Sequence, residues 1–338
     1  MQNQSVLVTG GAGFIGSELV RQLSQQDFRV RVVDNLVTGK RENLDDMPGE
    51  RVELIVADVR DKDLMISLSR GMGIIFHLGC LGARHSIHSP VENHEVNASA
   101  TLGLLNAARH NGVRRFVYVS SSEVYGTAKT VPITEEHATV PLTVYGASKL
   151  AGESYARAFW ETYRYPTVVL RPFNAYGPRC HHEGDSGEII PKFMLRCMAG
   201  KPMVILGSGT QTRDFTYVSD IAGAIRAAGL SDDCVGQTLN LGSGKEIEIR
   251  ELAAKVASVL NRPDAKVTHV ESHPGEVLRL LAESSKARRL LGFQPNVPLH
   301  DGLTRLRDWY AGQERSPEEL LEQEIIRNWA PRDVASHV

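Results

Sequence analysis

The sequence predicts an α/β fold, with a doubly wound parallel sheet joined to a smaller, mixed α/β lobe. Three observations predict it. Strand-like and helix-like segments alternate through the first half of the chain. A glycine cluster, Thr9 to Gly16, stands between the first strand and the first helix. After Pro172 the alternation gives way to loops rich in Gly, Pro and His, followed by further short helices and strands.

The strands of the first half are short apolar runs bounded by turn residues. They are predicted at Ser5–Thr9, Val30–Asp34, Val52–Val56, Gly73–Leu78, Arg115–Ser120 and Thr167–Leu170. The helices between them are predicted up to Leu23, over Leu102–Arg109 before the stop at Asn111-Gly112, and from about Ala147 to Tyr163. A strand–helix–strand order at this spacing indicates parallel strands with helices on both faces.

The second half carries weaker signals. Helices are expected to start near Ile189, Val218 and Ile249, and strands at Val204–Leu206 and Thr238–Leu241. We therefore expect a first domain over 1–172 to which segments in about 211–245 return, a second lobe mainly over 173–312, and a tail over 313–338. The tail is charged from Glu314 and is expected to pack loosely or to form a solvated helix.

Composition excludes several classes of protein. The 338 residues carry 38 Lys and Arg against 40 Asp and Glu, so the chain has no basic surplus for nucleic acid or an anionic membrane. No apolar run approaches the roughly 18 residues of a membrane span, and the N-terminus lacks a signal-peptide pattern. The four cysteines are far apart and form no CxxC, which predicts a reduced, cytoplasmic protein.

The glycine cluster has the spacing of a dinucleotide-binding turn. Gly10 permits the tight turn, Gly13 lets a pyrophosphate approach the backbone, and Gly16 lets helix and strand pack closely. The helix N-terminus then offers N–H groups to the anion. Asp34 ends the second strand, where a carboxylate accepts both ribose hydroxyls of an adenosine and repels a 2′-phosphate. The pattern predicts NAD rather than NADP; the alternative is a plain strand-end turn with an Asp cap.

Asp58 and Val59 follow the third strand and are expected to contact the adenine. Asp58 also fits the N-cap of a helix over Lys62-Asp63-Leu64, and both interpretations are compatible.

Tyr145 and Lys149 are four residues apart, which places a phenol and an ammonium on one face of a helix. A nearby ammonium favours the phenolate, so Tyr145 is expected to exchange a proton near neutral pH. Ser121 follows the fifth strand, at the edge of the sheet where ligands bind, and is expected to hydrogen-bond the reacting oxygen of a substrate. The alternative is an ordinary surface pair on a helix.

These residues carry a family resemblance that covers about residues 5–312. The chain resembles the extended short-chain dehydrogenases/reductases, in particular the NAD-dependent nucleotide-sugar epimerases and dehydratases such as the UDP-glucose 4-epimerase-like members. The motifs that carry it are Thr9–Gly16, His77–Cys80, Ser120–Gly126, Tyr145–Lys149, Arg171–Pro178 and Gln211–Val218. The usual His-Leu-Ala-Ala after the fourth strand reads His-Leu-Gly-Cys here.

The resemblance implies a Rossmann-type NAD domain, a lobe that binds a UDP- or dTDP-linked hexose, and a homodimer built on helices at about 98–110 and 147–163. It implies oxidation at C4 of the sugar, with Tyr145 as the acid and base and Lys149 on the nicotinamide ribose. The implied cofactor contacts are Gly10, Gly13, Phe14, Ile15, Gly16, Asp34, Asn35, Asp58, Val59, Leu78, Gly79, Tyr145, Lys149 and Pro172. The implied substrate contacts are Ser122, Asn174, Arg213 and Arg279. Asn174 could instead fix its own loop, and Arg213 could pair with Asp214 or Asp220.

Glu123 leaves the reaction open. Simple 4-epimerases usually have a small or neutral residue there, whereas 4,6-dehydratases and glucuronate decarboxylases often have Glu. Many dehydratases carry an Asp just before it, where this chain has Ser122, and decarboxylases usually read Asp-Glu-Gly-Lys where this chain has Gly-Ala-Ser-Lys. Asp34–Gly39 and Tyr145–Lys149 most resemble an epimerase, so the resemblance favours a 4-epimerase, with dehydratase and decarboxylase as alternatives. Glu123 could also be an acid that only hydrogen-bonds nearby loops. A redox-silent NAD-binding regulator is the alternative from another class, and Tyr145 and Lys149 argue against it.

Two histidine-containing segments are further candidates for a metal site or for contact with the sugar. His181-His182-Glu183-Gly184-Asp185 lacks the spacing of a metal site, and a solvated or substrate-covering loop is expected, with no metal. Arg84, His85 and His88 follow the fourth strand, either near the sugar or in a surface loop.

Overall fold

The computed structural model describes residues 5–184, 186–272 and 277–327. Its strands are β1 Ser5–Thr9, β2 Arg29–Asp34, β3 Val52–Val56, β4 Ile74–His77, β5 Arg115–Val119, β6 Thr167–Pro172, β7 Asn174–Tyr176, β8 Met203–Leu206, β9 Thr212–Tyr217, β10 Thr238–Leu241, β11 Glu246–Glu248 and β12 Val267–Val270. The predictions for the first domain, the histidine segment and the tail include residues 1–4, Asp185 and 328–338, which lie outside the described residues.

The α-helices cover both faces of the strands. They are α1 Phe14–Ser24, α2 Lys62–Ser69, α3 Ala83–His88, α4 Pro90–His94, α5 Ala100–His110, α6 Val144–Tyr163, α7 Ile189–Met198, α8 Val218–Leu230, α9 Ile249–Val259, α10 Ser285–Leu291, α11 Leu299–Ala311 and α12 Pro317–Leu320. Short 3₁₀ turns cover Arg41–Leu44, Ser122–Tyr125 and Leu321–Gln323, and a π-helical turn, Glu95–Ser99, leads into α5. No helix in the described ranges is long and apolar enough to cross a bilayer.

The expected doubly wound sheet is confirmed. Seven parallel strands lie in the order β3-β2-β1-β4-β5-β6-β10. The chain order reverses between β1 and β4, which places a ligand crevice outside the carboxyl ends of those strands. Alternate side chains of β1 enter opposite cores, because successive strand residues point to opposite faces. Val6 and Val8 pack in the core that also holds α1 and α8 residues, whereas Leu7 packs with α5 and α6.

The second lobe is built around two small sheets. In the first, β9 lies between β7 and β11, and in the second, β8 pairs with β12. Helices α7, α9 and α11 bury their apolar faces against these strands. The strand β10, although it follows this lobe's β9 in sequence, pairs with β6 in the main sheet.

The expectation of a loosely packed tail is wrong for its described part. Ser316 caps α12 with a reciprocal capping box, in which Glu319 N donates to Ser316 Oγ at 3.2 Å and Ser316 N donates to the Glu319 carboxylate at 2.7 Å. Leu320 and Leu321 are buried in the core of the second lobe. Two apolar residues among the charged ones therefore anchor the segment.

Candidate active site

One cavity of about 920 Å³ lies at the carboxyl ends of the main-sheet strands and extends into the second lobe. Most of the residues predicted to bind cofactor or substrate line it: Gly10, Gly13, Phe14, Ile15, Gly16, Asp34, Asn35, Val59, Leu78, Gly79, Ser121, Ser122, Glu123, Tyr145, Lys149, Pro172, Asn174 and Arg213. The fold thus brings together residues that are up to about two hundred positions apart in the chain.

The glycine turn forms an open cradle at the N-terminus of α1. Gly10 has a φ of 68°, and a Cβ there would lie 2.7 Å from the backbone nitrogen of Gly79. A Cβ on Gly16 would lie 2.0 Å from the carbonyl oxygen of Gly10, so only glycine lets α1 start this close to β1. Gly13 occupies the N-cap position and has no side chain to cap the helix. The bare N-terminus is therefore available to the pyrophosphate of a dinucleotide.

Asp34 shapes the turn beside this cradle. One carboxylate oxygen accepts from Ala12 N at 3.0 Å and the other from Leu36 N at 2.9 Å. Burial raises the pKa of Asp34, although these two hydrogen bonds act in the opposite direction. Each carboxylate oxygen can accept a second hydrogen bond, so the side chain still fits the two hydroxyls of a ribose.

Two predicted contacts lie outside the cavity wall. Asp58 accepts three hydrogen bonds from Arg60, one from its backbone and two from its guanidinium, and one, at 3.3 Å, from the Asn35 amide. Its alternative role as a helix N-cap is wrong, because Asp61 caps α2 by accepting from Leu64 N at 3.1 Å.

Arg279 does not line the cavity either and pairs with Glu246 at the surface. Val277, two residues earlier in the chain, does line the cavity. The segment near Arg279 therefore contributes to the cavity wall, although Arg279 itself does not.

Tyr145 lies in the first turn of α6, which begins three residues before the predicted start. Thr143 sets that start by accepting a hydrogen bond from Gly146 N at 3.0 Å. A Cβ on Gly146 would lie 2.7 Å from the carbonyl oxygen of Glu123, so the glycine lets this turn approach the loop that carries Ser121. Both Tyr145 and Ser121 line the cavity, and Ser121 lies close enough to act on the pKa of the phenol.

The expected lowering of the pKa of Tyr145 does not occur in this structure. Burial raises the pKa of Tyr145, outweighing the lowering effect of Ser121. The ammonium of Lys149 donates to the carbonyl of Val119 at 2.6 Å and lies 4.7 Å from the centre of the Tyr118 ring. Burial lowers the pKa of Lys149. Burial therefore outweighs the expected effect of the ammonium on the pKa of Tyr145, and the pKa is raised rather than lowered.

The cavity wall also holds Glu188 and Lys192, which the sequence did not single out, and Arg84, for which a place near the sugar or in a surface loop was expected. Glu188 precedes α7 and lines the cavity with Arg84, His181 and Lys192. Burial raises the pKa of Glu188, and Arg84 is the strongest of the cations that oppose this effect. Glu123 lines the same cavity, and its charge acts with burial to raise the pKa of Glu188. The signal that could have located Glu188 is its place just before an amphipathic helix.

Asn174 and Arg213 both line the cavity, and their contacts with a substrate stay a prediction. The side-chain oxygen of Asn174 is buried and accepts no hydrogen bond from the described part of the chain, as expected for a group that awaits a ligand. Asp214 was one of the two alternative partners considered for Arg213. Its carboxylate accepts hydrogen bonds from the backbone N–H groups of Ser243, Gly244 and Ala282. Arg213 donates to the carbonyl of Thr212 at 2.8 Å and lines the cavity.

The histidine segment, His181–Gly184 in its described part, contacts the loop that follows β2. Glu183 forms an ion pair of 2.8 Å with Lys40, which follows β2, and contacts His181 and His182 at 3.6 Å and 3.3 Å. No cluster of metal-ligating residues occurs in ranges 5–184, 186–272 and 277–327. The segment therefore joins the second lobe to the loop beyond Asp34.

Comparisons with known proteins agree with this geometry. Residues 6–242 match the model of the NAD dependent epimerase/dehydratase family. A UDP-glucose 4-epimerase from Mycolicibacterium smegmatis is 35% identical over 90% of this chain and 97% of its own. A UDP-N-acetylglucosamine 4-epimerase from Methanobrevibacter ruminantium, solved with UDP-N-acetylmuramic acid, is 33% identical with a TM-score of 0.87, covering 93% of this chain and all of that one.

A relative with a different reaction is almost as similar. The dTDP-glucose 4,6-dehydratase DesIV from Streptomyces venezuelae, solved with NAD, is 33% identical with a TM-score of 0.84. The match covers 91% of this chain and 97% of that one. The fold, the cavity and the similar proteins all indicate the same family. The similar proteins, however, catalyse more than one reaction. The chain belongs to the NAD-dependent epimerase/dehydratase family.

Proposed function

We propose that this protein is a nucleotide-sugar 4-epimerase, which inverts C4 of a UDP- or dTDP-linked hexose through a transient 4-keto sugar. The observation that carries the proposal is that Tyr145 and Ser121 line the same cavity as the glycine cradle at α1. A proton carrier next to a dinucleotide cradle fits reversible oxidation of an alcohol. The 4-epimerases among the relatives support the same reaction.

The residues of the site have separable roles in this proposal. Tyr145 takes the proton of the O4 hydroxyl and later returns it, while the hydroxyl of Ser121 donates a hydrogen bond to the same oxygen. Asn174 and Arg213 hold the diphosphate, because amide and guanidinium groups suit phosphate oxygens. The cavity shields O4 from bulk water, which strengthens these hydrogen bonds.

NAD fits the cradle described above, and when bound it supplies the reversible hydride acceptor for C4. Gly10, Gly13 and Gly16 would admit its pyrophosphate, and Asp34 would hold its adenosine ribose. Lys149 would hold the nicotinamide ribose. To do so, its ammonium would replace its hydrogen bond to the carbonyl of Val119 by one to the ribose.

Glu123 favours a second candidate, a nucleotide-sugar 4,6-dehydratase. Dehydration needs a base at C5 and an acid for the departing hydroxyl. Ser122 supplies neither, but Glu188 lines the same cavity as Glu123, and burial raises the pKa of Glu188, as an acid requires. The decarboxylase alternative shares Glu123, but Gly146-Ala147-Ser148 stands where decarboxylases usually have Asp-Glu-Gly before the lysine.

We also propose that the protein forms a homodimer through α5 and α6. Leu102 on α5 is 38% exposed and Tyr163 on α6 is 52% exposed. Exposed large apolar side chains on neighbouring helices are suited to contact with a second copy. Light scattering at several concentrations measures the oligomeric state, and a monomer throughout would contradict this proposal.

The reaction is tested by incubating the NAD-loaded enzyme with UDP-, dTDP- and GDP-hexoses and reading products by mass spectrometry and NMR. A product of unchanged mass with inverted C4 is the expected result. Loss of water would identify a dehydratase, and loss of carbon dioxide a decarboxylase. Absence of any product across the panel would favour a redox-silent NAD-binding protein.

A further inference from the structure

The described end of the chain reaches the substrate side of the cavity. The C-terminal segment, defined as Leu321–Ile326, follows α12 and is anchored by the buried Leu321. Gly184 N donates to the carbonyl of Gln323 at 2.8 Å, which ties the segment to the histidine loop. Glu324 and Ile326 line the same cavity as Tyr145.

Arg196 on α7 joins this segment to β8. Its Nε lies 3.0 Å from both carboxylate oxygens of Glu324, and its Nη2 lies 2.9 Å from one of them. Its Nη1 donates to the carbonyl of Pro202, just before β8, at 2.9 Å. The Arg196 and Glu324 side chains are only 13% and 8% exposed. A guanidinium has five N–H donors, so this arrangement fixes its plane and leaves donors for a ligand.

The atoms beside this ion pair suit a nucleotide. Lys192, one turn before Arg196, donates to the carbonyl of Ile325 at 3.0 Å and also lines the cavity. Ile326 is 39% exposed although it lies on the cavity wall, as do Val204 and Leu206 of β8. Cations next to exposed apolar side chains match the phosphates and the flat base of a nucleoside diphosphate.

We propose that the C-terminal segment is part of the site for the nucleoside diphosphate portion of the substrate. Glu324 acts as a positioning residue that holds the guanidinium of Arg196 toward the cavity, and Ile326 provides an apolar surface for the base. This inference rests on the proposed function, because it assumes that the ligand is a nucleotide sugar. It adds a segment beyond the part of the chain that matches the family model.

The test uses UDP and dTDP as probes on the full-length enzyme, by calorimetric titration. Glu324→Gln keeps the shape but removes the charge that fixes Arg196, and Ile326→Ala removes the apolar surface. Both should weaken binding of the better nucleotide by about tenfold, with KM for the nucleotide sugar raised by the same factor and kcat little changed. Glu324→Asp should restore part of the affinity. Glu322→Gln, an exposed carboxylate of the same segment, is the matched control.

NAD content and melting temperature separate binding from folding. If Glu324→Gln proves unstable, Ile326→Ala becomes the test of the inference. The Ile326 side chain is exposed and does not pack in the hydrophobic core, so its removal should not unfold the protein. Nucleotide binding as tight as in Glu322→Gln would refute the inference and leave the proposed function intact. Tighter binding in Glu324→Gln would also refute it, because Glu324 would then obstruct the site. Failure of the unmodified enzyme to bind either nucleotide would instead contradict the proposed function.

Discussion

Glu153 and Arg171 form a completely buried ion pair that contacts both ends of the segment Ser120–Tyr125. Arg171 Nε donates to the Glu153 carboxylate at 3.0 Å, its Nη2 donates to the other oxygen, and neither side chain is more than 1% exposed. Glu153 also accepts from Ser120 Oγ at 3.0 Å, and Arg171 Nη1 donates to the Tyr125 hydroxyl at 2.6 Å. The pair thus holds both ends of the loop that carries Ser121 and Glu123.

Loss of one partner of this pair should destabilise the fold. Glu153→Gln leaves the Arg171 charge buried without its counter-charge, so the free energy of unfolding should fall by ~3–5 kcal/mol. Glu161→Gln on the same helix is the control, because Glu161 and Arg164 form an exposed pair that should contribute at most ~1 kcal/mol. Denaturant titration of both variants measures the difference, and equal losses would mean that the buried pair is not specially stabilising.

Asp34 should determine the choice between NAD and NADP. Asp34→Asn removes the negative charge and one acceptor but keeps an oxygen that can accept from Leu36 N. Charge-assisted hydrogen bonds contribute about 1.5–3 kcal/mol, so NAD affinity should fall about 10- to 100-fold while NADP affinity falls less or rises. Glu53→Gln is the control, because Glu53 on the next strand pairs with Arg31 at an exposed site and does not line the cavity. A parallel loss of both cofactors would remove Asp34 from the ribose site.

Tyr145→Phe should abolish most of the turnover. The ring and its packing remain, but the proton carrier is lost, and general acid–base catalysis contributes roughly 10²- to 10⁴-fold. Tyr155→Phe, on the same helix but not on the cavity wall, should keep full activity. Stability and NAD content of both variants should match the parent protein. Near-normal turnover of Tyr145→Phe would refute the assignment.

His77 should make the fold sensitive to acid. Its Nδ1 lies 2.6 Å from Thr9 Oγ1 and its Nε2 lies 2.9 Å from Thr101 Oγ1, and burial lowers its pKa to about 3. Between that value and the pKa near 6.5 of the unfolded chain, only the unfolded state takes up this proton. Stability is therefore complete above about pH 6.5 and is lost by up to ~1.4 kcal/mol per pH unit as the pH falls toward 3.

The corresponding variant is His77→Gln, which can still reach both threonines. It should reduce the slope of unfolding free energy against pH, between about pH 6 and pH 4.5, by close to one proton. His110→Gln, at an exposed site, should leave the slope unchanged. An unaltered slope in His77→Gln would mean that another group takes up the proton.

The main sheet could be predicted because each strand is a local apolar run. The predicted strand at 30–34 differs from β2 by one residue, and the helices expected near Ile189, Val218 and Ile249 begin at those residues. The start of α6 was placed too late because the N-cap Thr143 precedes a β-branched and an aromatic residue, Val144 and Tyr145, which are weak helix signals. The local hydrophobic pattern therefore predicts which strands and helices form better than it predicts the residues at which they begin and end.

The substrate side of the site could not be predicted because its residues meet only in the tertiary structure. Arg196 and Glu324 are 128 positions apart, and no periodicity relates them. The direction of the pKa of Tyr145 was also wrong, since spacing on a helix does not show the burial that raises this pKa. Glu188 looked like one charge among many until its place on the cavity wall was known.

Glu123 decides between the two proposed reactions, and Glu123→Gln is the variant that tests it. The amide keeps the size of the side chain and can still hydrogen-bond, but it cannot accept a proton from carbon. Inversion at C4 requires only that the keto sugar turn in the cavity before it is reduced, so Glu123 has no proton to move in an epimerase. The variant of a 4-epimerase should retain turnover within about tenfold, a change of roughly 1.4 kcal/mol in the barrier.

A dehydratase should respond differently, because removal of the C5 proton would depend on this carboxylate. Glu123→Gln should then stop the reaction after oxidation, and the near-ultraviolet absorbance of reduced cofactor should rise and persist with a 4-keto sugar. Glu188→Gln is the informative companion, since loss of this second acid should slow elimination of water but spare inversion at C4. A large loss of turnover with trapped reduced cofactor in Glu123→Gln would overturn the 4-epimerase proposal in favour of the dehydratase.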